Sequence, residues 1–179
     1  MLDMEALEKM AKEVGFTCIG PLDRSTIILK PEVREMCRTG NCGAYGKKWS
    51  CPPGCGSLEE CGKRLDRFQK GILVQTVGKL EDSFDYEAMM ETEAAHKEHF
   101  KHMEQLLRLQ YPNLLAIGAG ACTRCKECTY PDAPCRFPDQ SFISMEAYGM
   151  LVLDVCKANH MTYYYGSEKI AYTSMYLLE

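Results

Sequence analysis

Several features that define common protein classes are missing from this chain of 179 residues. No apolar run approaches the roughly 20 residues that a membrane-spanning helix needs, so we expect no membrane segment. The net charge of −4 gives no reason to expect a nucleic-acid backbone or an anionic membrane as a partner. The apolar and charged fractions are those of an ordinary soluble protein, and the length suits one domain, residues 1–179.

Familiar enzyme signatures are missing as well. The sequence contains no phosphate-binding loop, no dinucleotide fingerprint and no Ser/His/Asp set with a recognisable spacing. The first residues, Met1 to Glu5, are acidic and amphipathic, without the basic and apolar regions of a secretory signal. We therefore predict a cytoplasmic protein whose chemistry rests on other residues.

Cysteine is what the chain has in excess, with 11 residues, an odd number. In a cytosolic chain of this size such abundance indicates metal binding or catalysis rather than disulfide bonds. Nine of the cysteines fall into two loops, residues 37–61 and 122–138. The other two, Cys18 and Cys156, stand alone and are predicted to be buried apolar thiols.

The second loop carries the stronger pattern. Cys122, Cys125, Cys128 and Cys135 have the spacing C-x2-C-x2-C-x6-C. Three thiols at i, i+3 and i+6 are typical of ferredoxin-type segments that bind a [4Fe-4S] cluster. The gap before Cys135 is longer than the three residues of the ferredoxin run, but the looped segment could return Cys135 to the same cluster. We predict one cluster here, with zinc and uncoordinated thiols as the alternatives.

The first loop contains Cys37, Cys42, Cys51, Cys55 and Cys61, one thiol more than a closed four-ligand site needs. Its glycines would let the backbone approach a bulky cofactor closely. We predict a second cluster bound by the first four, with Cys61 as the substitute ligand, and a zinc site or an unmetallated loop as alternatives. Cys61 lies early in a capped helix, which would lower its pKa and make it reactive.

These patterns leave three functions open. The first is a [4Fe-4S] protein that transfers electrons to a partner protein. The second is a thiolate module that holds zinc or another soft ion for structure or sensing. The third is an enzyme, either with a cluster held by three cysteines, whose fourth iron is open to substrate, or with a reactive Cys61.

As a set, the motifs resemble the cysteine-rich family of uncharacterised predicted metal-binding proteins, a domain of unknown function. The resemblance spans about Met36 to Leu178 and implies a metal but no reaction. Because members of that family often lack a counterpart of Cys55 or Cys61, it makes Cys37, Cys42 and Cys51 the firmer ligands of the first site. The residues that carry it are Gly46-Lys47-Lys48-Trp49-Ser50-Cys51-Pro52-Pro53 with Cys42, then Cys122, Cys125, Cys128 and Cys135-Arg136-Phe137-Pro138, and Ser144-Met145-Glu146-Ala147 with Gly149.

Hydrophobic periodicity predicts an α/β fold, with helices and strands in alternation around the two inserted loops. The predicted helices cover 4–14, 31–36, 57–68, 85–110 and 144–159, and the predicted strands cover 16–20, 71–77 and 114–117, with a C-terminal hairpin formed by 161–165 and 170–178. His96, His99 and His102 are predicted to lie on a solvated helix face. The tyrosines at 163–165 are predicted to form a strand edge at which a homodimer could assemble.

Overall fold

The structure is a computed structural model that describes residues 2–179. Two short 3₁₀ turns, Arg24–Thr26 and Pro138–Gln140, accompany the main elements. In chain order the main elements are α1 (Met4–Val14), β1 (Cys18–Asp23), α2 (Pro31–Thr39), α3 (Leu58–Leu65), β2 (Lys70–Lys79), α4 (Tyr86–Arg108), β3 (Leu115–Gly118), β4 (Ile143–Ser144), α5 (Val152–Ala158) and β5 (Lys169–Leu178).

The five strands form one mixed sheet in the order β1-β2-β5-β3-β4. All neighbouring pairs are antiparallel except β3 and β4, which run parallel. The two longest strands, β2 and β5, pair along their whole length, from Lys70 opposite Leu178 to Lys79 opposite Lys169. The α/β fold class predicted from the sequence is confirmed.

Helices cover both faces of this sheet because the side chains of its central strands alternate between two apolar clusters. On one face, Tyr176 and Leu178 of β5 pack with residues of α1 and α4. On the other, Met175 and Leu177 of the same strand pack with residues of α3, α5 and the turn at 145–150. None of the helices within residues 2–179 is long and apolar enough to cross a membrane.

The predicted helix over 144–159 is wrong in its first half. Ser144 ends strand β4, and a tight turn follows in which Gly149 adopts a φ of +92°. The backbone of Lys30 donates to Gly149 O at 2.7 Å, and Met150 pairs with Leu29 in an isolated bridge. These contacts with the segment before α2 hold residues 145–150 out of a helix, so α5 begins only at residue 152.

The predicted C-terminal hairpin is also wrong. Residues 161–165, all of them described, form no strand, and β5 pairs with β2 and β3 instead. The Tyr165 hydroxyl donates to Gln75 Oε1 at 2.7 Å, which anchors this segment by its side chain. The homodimer expectation loses the strand edge on which it was based and stays an untested prediction.

Candidate metal centre

The second cysteine loop connects β3 to β4 and brings its four thiols to one place. Cys122, Cys125, Cys128 and Cys135 all line a single narrow cavity of about 20 Å³. All four side chains are partly exposed, so the cavity lies near the surface. The rest of its lining consists of Lys48, Trp49 and Ser50 from the first loop, with Arg124 and Ser141.

Hydrogen bonds within the second loop hold its turns in place. The Thr129 hydroxyl donates to Pro134 O at 2.8 Å, and Arg136 Nη1 donates to Glu127 O at 2.8 Å. These two contacts close the long gap between Cys128 and Cys135, which departs from the ferredoxin spacing. Arg136 therefore acts as a clamp on this loop.

The first loop packs directly against the second. Lys48 Nζ donates to Cys122 O at 2.8 Å, and Trp49 Nε1 donates to Ala133 O at 2.9 Å. The Trp49 ring also meets Tyr130 edge to face, with centroids 4.8 Å apart. Two segments more than seventy residues apart in sequence therefore form one thiol-rich region.

The surroundings of Cys128 favour its thiolate form. Burial acts to raise the pKa of Cys128, but backbone N–H groups of Tyr130, Trp49 and Thr129 and the Lys48 ammonium outweigh it, so the pKa lies below its usual value. Backbone N–H groups that point at a sulfur also stabilise the negative charge of a metal-bound thiolate. The first loop therefore contributes to the electrostatics of the second site.

The five cysteines of the first loop separate into a group of three and a pair. Cys37, on α2, lies with Cys42 and Cys51 around a second, larger cavity of about 400 Å³. The cavity lies between the first loop and residues 144–152, and its lining is mostly apolar. Other residues in the lining are Val33, Met36, Ala44, Tyr45, Pro52, Gly120, Ala121, Ser144, Glu146, Ala147, Met150, Leu151, Val152 and Tyr163.

Burial raises the pKa of both Cys37 and Cys51. Negative charge on Glu146 and on the neighbouring thiols raises the pKa of Cys37 further, while Ser50 and Lys48 partly offset the effect at Cys51. Neutral thiols are therefore favoured here unless a positive group joins them. A metal centre would supply that charge and convert them to thiolates.

The pair, Cys55 and Cys61, is buried beside Arg34 and lines neither of the two cysteine cavities. Arg34 Nη2 donates to Cys61 Sγ at 3.2 Å and to Cys55 Sγ at 3.5 Å. A hydrogen bond from Cys55, aided by Arg34 and Arg64, lowers the pKa of Cys61 to about 7 against the effect of burial. The same hydrogen bond, with burial, puts the pKa of Cys55 far above its usual range. The sequence predicted a lowered pKa of Cys61 from its place at the start of a helix. The main cause of the lowered pKa is the hydrogen bond instead.

Sequence reasoning missed two residues of this region. Arg34 belongs to no motif, and only its contacts with both thiols reveal it. Glu146 lies on the lining of the larger cavity, and its Oε2 is buried without a hydrogen-bond partner among the residues described. Glu146 belongs to the run Ser144-Met145-Glu146-Ala147, one of the motifs that carry the family resemblance. That motif was a signal from which the residue could have been found.

The side chains do not converge on one point in either cavity. Within residues 2–179, no group of three or more His, Cys, Asp or Glu side chains is placed so that it could hold a metal ion. The nine cysteines that the sequence assigns as ligands therefore stay predictions, although seven of them line one of the two cavities.

Comparison with protein families gives a match over most of the chain. A family described as "Predicted metal-binding protein (DUF2284)" matches residues 20–178. The chain belongs to this family. The resemblance seen in the sequence is confirmed, and metal binding is the property that membership of DUF2284 predicts. No curated protein and no solved structure matches the chain.

Proposed function

We propose that this DUF2284 protein is an iron–sulfur protein that carries electrons. The observation that supports the proposal most is the single cavity lined by Cys122, Cys125, Cys128 and Cys135. Thiolates are soft ligands that suit iron–sulfur clusters and zinc, and four of them are the usual ligand set of a [4Fe-4S] cluster. A cubane needs less convergence than a single ion does, because each thiolate binds its own iron.

A second cluster is proposed at Cys37, Cys42 and Cys51. Ser50 lines the cavity of the first proposed cluster while its neighbour Cys51 lines the other, so the two sites adjoin. Such proximity permits electrons to pass between them. When bound, the clusters would supply one-electron chemistry, while Lys48 and the backbone N–H groups would stabilise the thiolate charge.

A reducing compartment suits these residues, and we propose the cytoplasm. All 11 cysteines are free thiols in the structure, which accords with a place where thiols stay reduced. The electron partner would be another protein that docks near the partly exposed second loop.

Metal analysis of anaerobically purified protein tests this proposal. We expect a brown protein with acid-labile sulfide and about eight irons per chain for two cubanes, or about four if only the second loop is loaded. Cys122→Ser should lower the iron content, whereas Cys18→Ser, at a lone thiol in β1, should leave it unchanged. Stoichiometric zinc without sulfide would overturn the redox proposal and leave a thiolate zinc module.

The larger cavity favours a second candidate, an enzyme with an open cluster site. Three cysteines and about 400 Å³ of mostly apolar space meet there, and neither Cys55 nor Cys61 lines the cavity as a fourth ligand. A cluster with one iron free of cysteine can bind a small molecule, and Glu146 offers that molecule a buried carboxylate oxygen. The substrate would be small, largely apolar and equipped with one hydrogen-bond donor.

Selective release of one iron from the loaded protein tests the candidate with an open cluster site. Mild ferricyanide oxidation of the loaded protein should release the iron that no cysteine holds and give a three-iron signal in electron paramagnetic resonance. The signal should be absent from Cys51→Ser, which lacks one of the three ligands. A cluster that keeps all its irons under the same treatment would contradict this candidate.

A further inference from the structure

Cys55 and Cys61 are left without a role by the two proposed cluster sites. Arg34 Nη2 lies 3.5 Å from Cys55 Sγ and 3.2 Å from Cys61 Sγ, so the two thiols are neighbours at the same guanidinium nitrogen. Their exposed fractions are 3% and 0%, and Cys55 Sγ lies 3.7 Å from Ala147 O. Two buried thiols that share one guanidinium nitrogen form an arrangement distinct from that of isolated buried cysteines.

Arg34 is placed to act on both sulfurs at once. Its Nη2 contacts the two thiols, while its Nε donates to Ala147 O at 2.9 Å and its Nη1 to Gly56 O at 2.6 Å. These carbonyl bonds fix the guanidinium in one orientation. A fixed positive charge with an N–H aimed at a sulfur stabilises the thiolate over the thiol.

The backbone around the pair is held independently of its side chains. Cys61 N donates to Ser57 O at 3.0 Å at the capped start of α3, and Cys55 N donates to Cys51 O at 3.0 Å. Arg64 Nη1 also donates to Cys55 O at 3.0 Å. The two sulfurs are therefore brought together by the helix on one side and the loop turn on the other.

We propose that Cys55 and Cys61 are a redox-active dithiol, which forms a disulfide reversibly and does not bind the metal. Oxidation joins the two sulfurs in one bond and releases two protons and two electrons. The inference does not depend on which metal the other cysteines bind, because it concerns only the two thiols that line neither cavity.

The proposed oxidant is a disulfide of low molecular weight. The Cys61 thiolate attacks one sulfur of that disulfide, whose S–S bond breaks, and the departing thiolate takes up a proton. Cys55 then loses its proton and attacks the Cys61 sulfur of the mixed disulfide, expelling the second thiol. The oxidant is reduced to two thiols, and the protein gains one disulfide. Because both sulfurs are buried, the exchange requires local opening of the 51–57 turn.

Arg34 influences the equilibrium between the dithiol and the disulfide of Cys55 and Cys61. By stabilising the thiolate of the reduced state, it makes the disulfide easier to reduce. Replacement by methionine should raise the equilibrium constant for disulfide formation about tenfold, the effect of losing a charge-assisted hydrogen bond. Arg34→Lys keeps the positive charge and should shift the constant less.

The test uses the full-length protein, purified anaerobically with its metal and equilibrated in mixtures of reduced and oxidised glutathione. Acid quenching, alkylation with N-ethylmaleimide and peptide mass spectrometry then report each thiol. We expect Cys55 and Cys61 to become protected together as the buffer grows more oxidising, with a two-electron dependence and the mass of one disulfide. Cys156, a lone buried thiol, should stay alkylatable throughout and serves as the internal control.

Metal content separates this inference from the cluster proposal. Cys55→Ser and Cys61→Ser should each abolish the disulfide and retain the metal of the unaltered protein, while Cys156→Ser should change neither quantity. Loss of iron or zinc in Cys55→Ser, with the fold intact by circular dichroism, would make Cys55 a ligand and overturn the inference. A pair that stays reduced in the most oxidising buffer would overturn it as well.

Discussion

His96 is a polar side chain that the fold buries completely. It lies on α4 with 0% exposure, and its Nδ1 and Nε2 are 2.9 Å from Thr76 Oγ1 and 2.7 Å from Ser174 Oγ. Since those hydroxyls belong to β2 and β5, the imidazole joins the helix to two strands. The prediction that His96 belongs to a solvated face is therefore wrong.

The pH dependence of stability should report this burial. Burial, with the positive charges of His99 and Lys97, lowers the pKa of His96 to about 3. In the unfolded chain His96 therefore takes up a proton as the pH falls through about 6.5. In the folded chain its imidazole stays neutral until the pH approaches about 3. The His96 contribution is complete above pH 6.5 and is lost as the pH falls towards 3, at up to about 1.4 kcal/mol per pH unit. Urea denaturation from pH 7 to pH 4 measures it.

Matched variants isolate this contribution from that of the other titrating groups. His96→Gln should remove much of the decline below pH 6.5, whereas His102→Gln, at an exposed position on the same helix, should retain it. Imidazole resonances of the unaltered protein give a second measurement. Protonation of His96 near pH 6 in the folded state would contradict the prediction.

At this scale the sequence identifies reactive residue types better than their surroundings. The cysteine spacing was enough to locate both loops, because cysteines close in sequence remain close in space. Arg34 could not be found in the same way, since its contacts with Cys55 and Cys61 span more than twenty residues. His96 was within reach of prediction, because it shares a helical stripe with the buried Phe100, Met103 and Leu107.

Among the elements, α3 has the most local support. The Ser57 hydroxyl accepts from Glu60 N at 3.1 Å, and the Glu60 carboxylate accepts from Ser57 N at 2.7 Å, a complete capping box. The sequence pattern had predicted this start of the helix. The cap also fixes the first turn of α3, from which Cys61 reaches Arg34.

Removal of that cap should weaken the protein measurably. Ser57→Ala is expected to lower the free energy of unfolding by about 1 kcal/mol, because the N–H of Glu60 loses its acceptor. Chemical denaturation of the reduced protein measures the difference. Ser83→Ala, an exposed serine in the turn before α4, should change stability by less than about 0.5 kcal/mol. Equal effects of the two substitutions would argue against the capping role.

The contact between the two loops gives a prediction for the proposed metal centre. Lys48 places a positive charge beside both Cys51 and Cys128. Reduction of a cluster adds negative charge, so Lys48→Met should make the reduction potential more negative. Lys47→Met, at an exposed neighbouring lysine, should have a smaller effect. Potentiometric titration followed by electron paramagnetic resonance compares the two, and an equal shift in both variants would contradict a specific role for Lys48.

Elements with clear start and stop signals were predicted well, and those decided by distant contacts were not. Helix α1 has the predicted bounds, with Asp3 capping Ala6 N and Gly15 in the left-handed region at its end. The 144–159 segment has helical periodicity. The hydrogen bond from Lys30 N to Gly149 O nevertheless holds its first half in a turn. Tertiary hydrogen bonds of this kind leave no local signal in the sequence.

Strand β5 links the two halves of the core because it contributes side chains to both apolar clusters. Leu177 is fully buried on the α3 and α5 face, and Tyr176 next to it is fully buried on the other. The Tyr176 hydroxyl donates to Phe100 O at 2.6 Å. The two halves of the core are therefore joined through adjacent residues of one strand.

Truncation at this strand should be costly. Leu177→Ala is expected to lower the free energy of unfolding by about 2–5 kcal/mol, because it leaves a cavity in a packed core. Leu109→Ala, at a side chain that is 82% exposed, should cost less than about 0.5 kcal/mol. Urea denaturation of both variants provides the measurement, and similar midpoints would show that β5 matters less than its position indicates.

The central place of β5 also orders events while the protein is being made. Because β5 lies between β2 and β3, the sheet cannot close until the ribosome has synthesised residues 169–178. Both cysteine loops precede β5 in the chain, so their thiols are synthesised before the sheet that positions them can form. We therefore expect insertion of the proposed clusters to follow the pairing of residues 169–178 with β2 and β3.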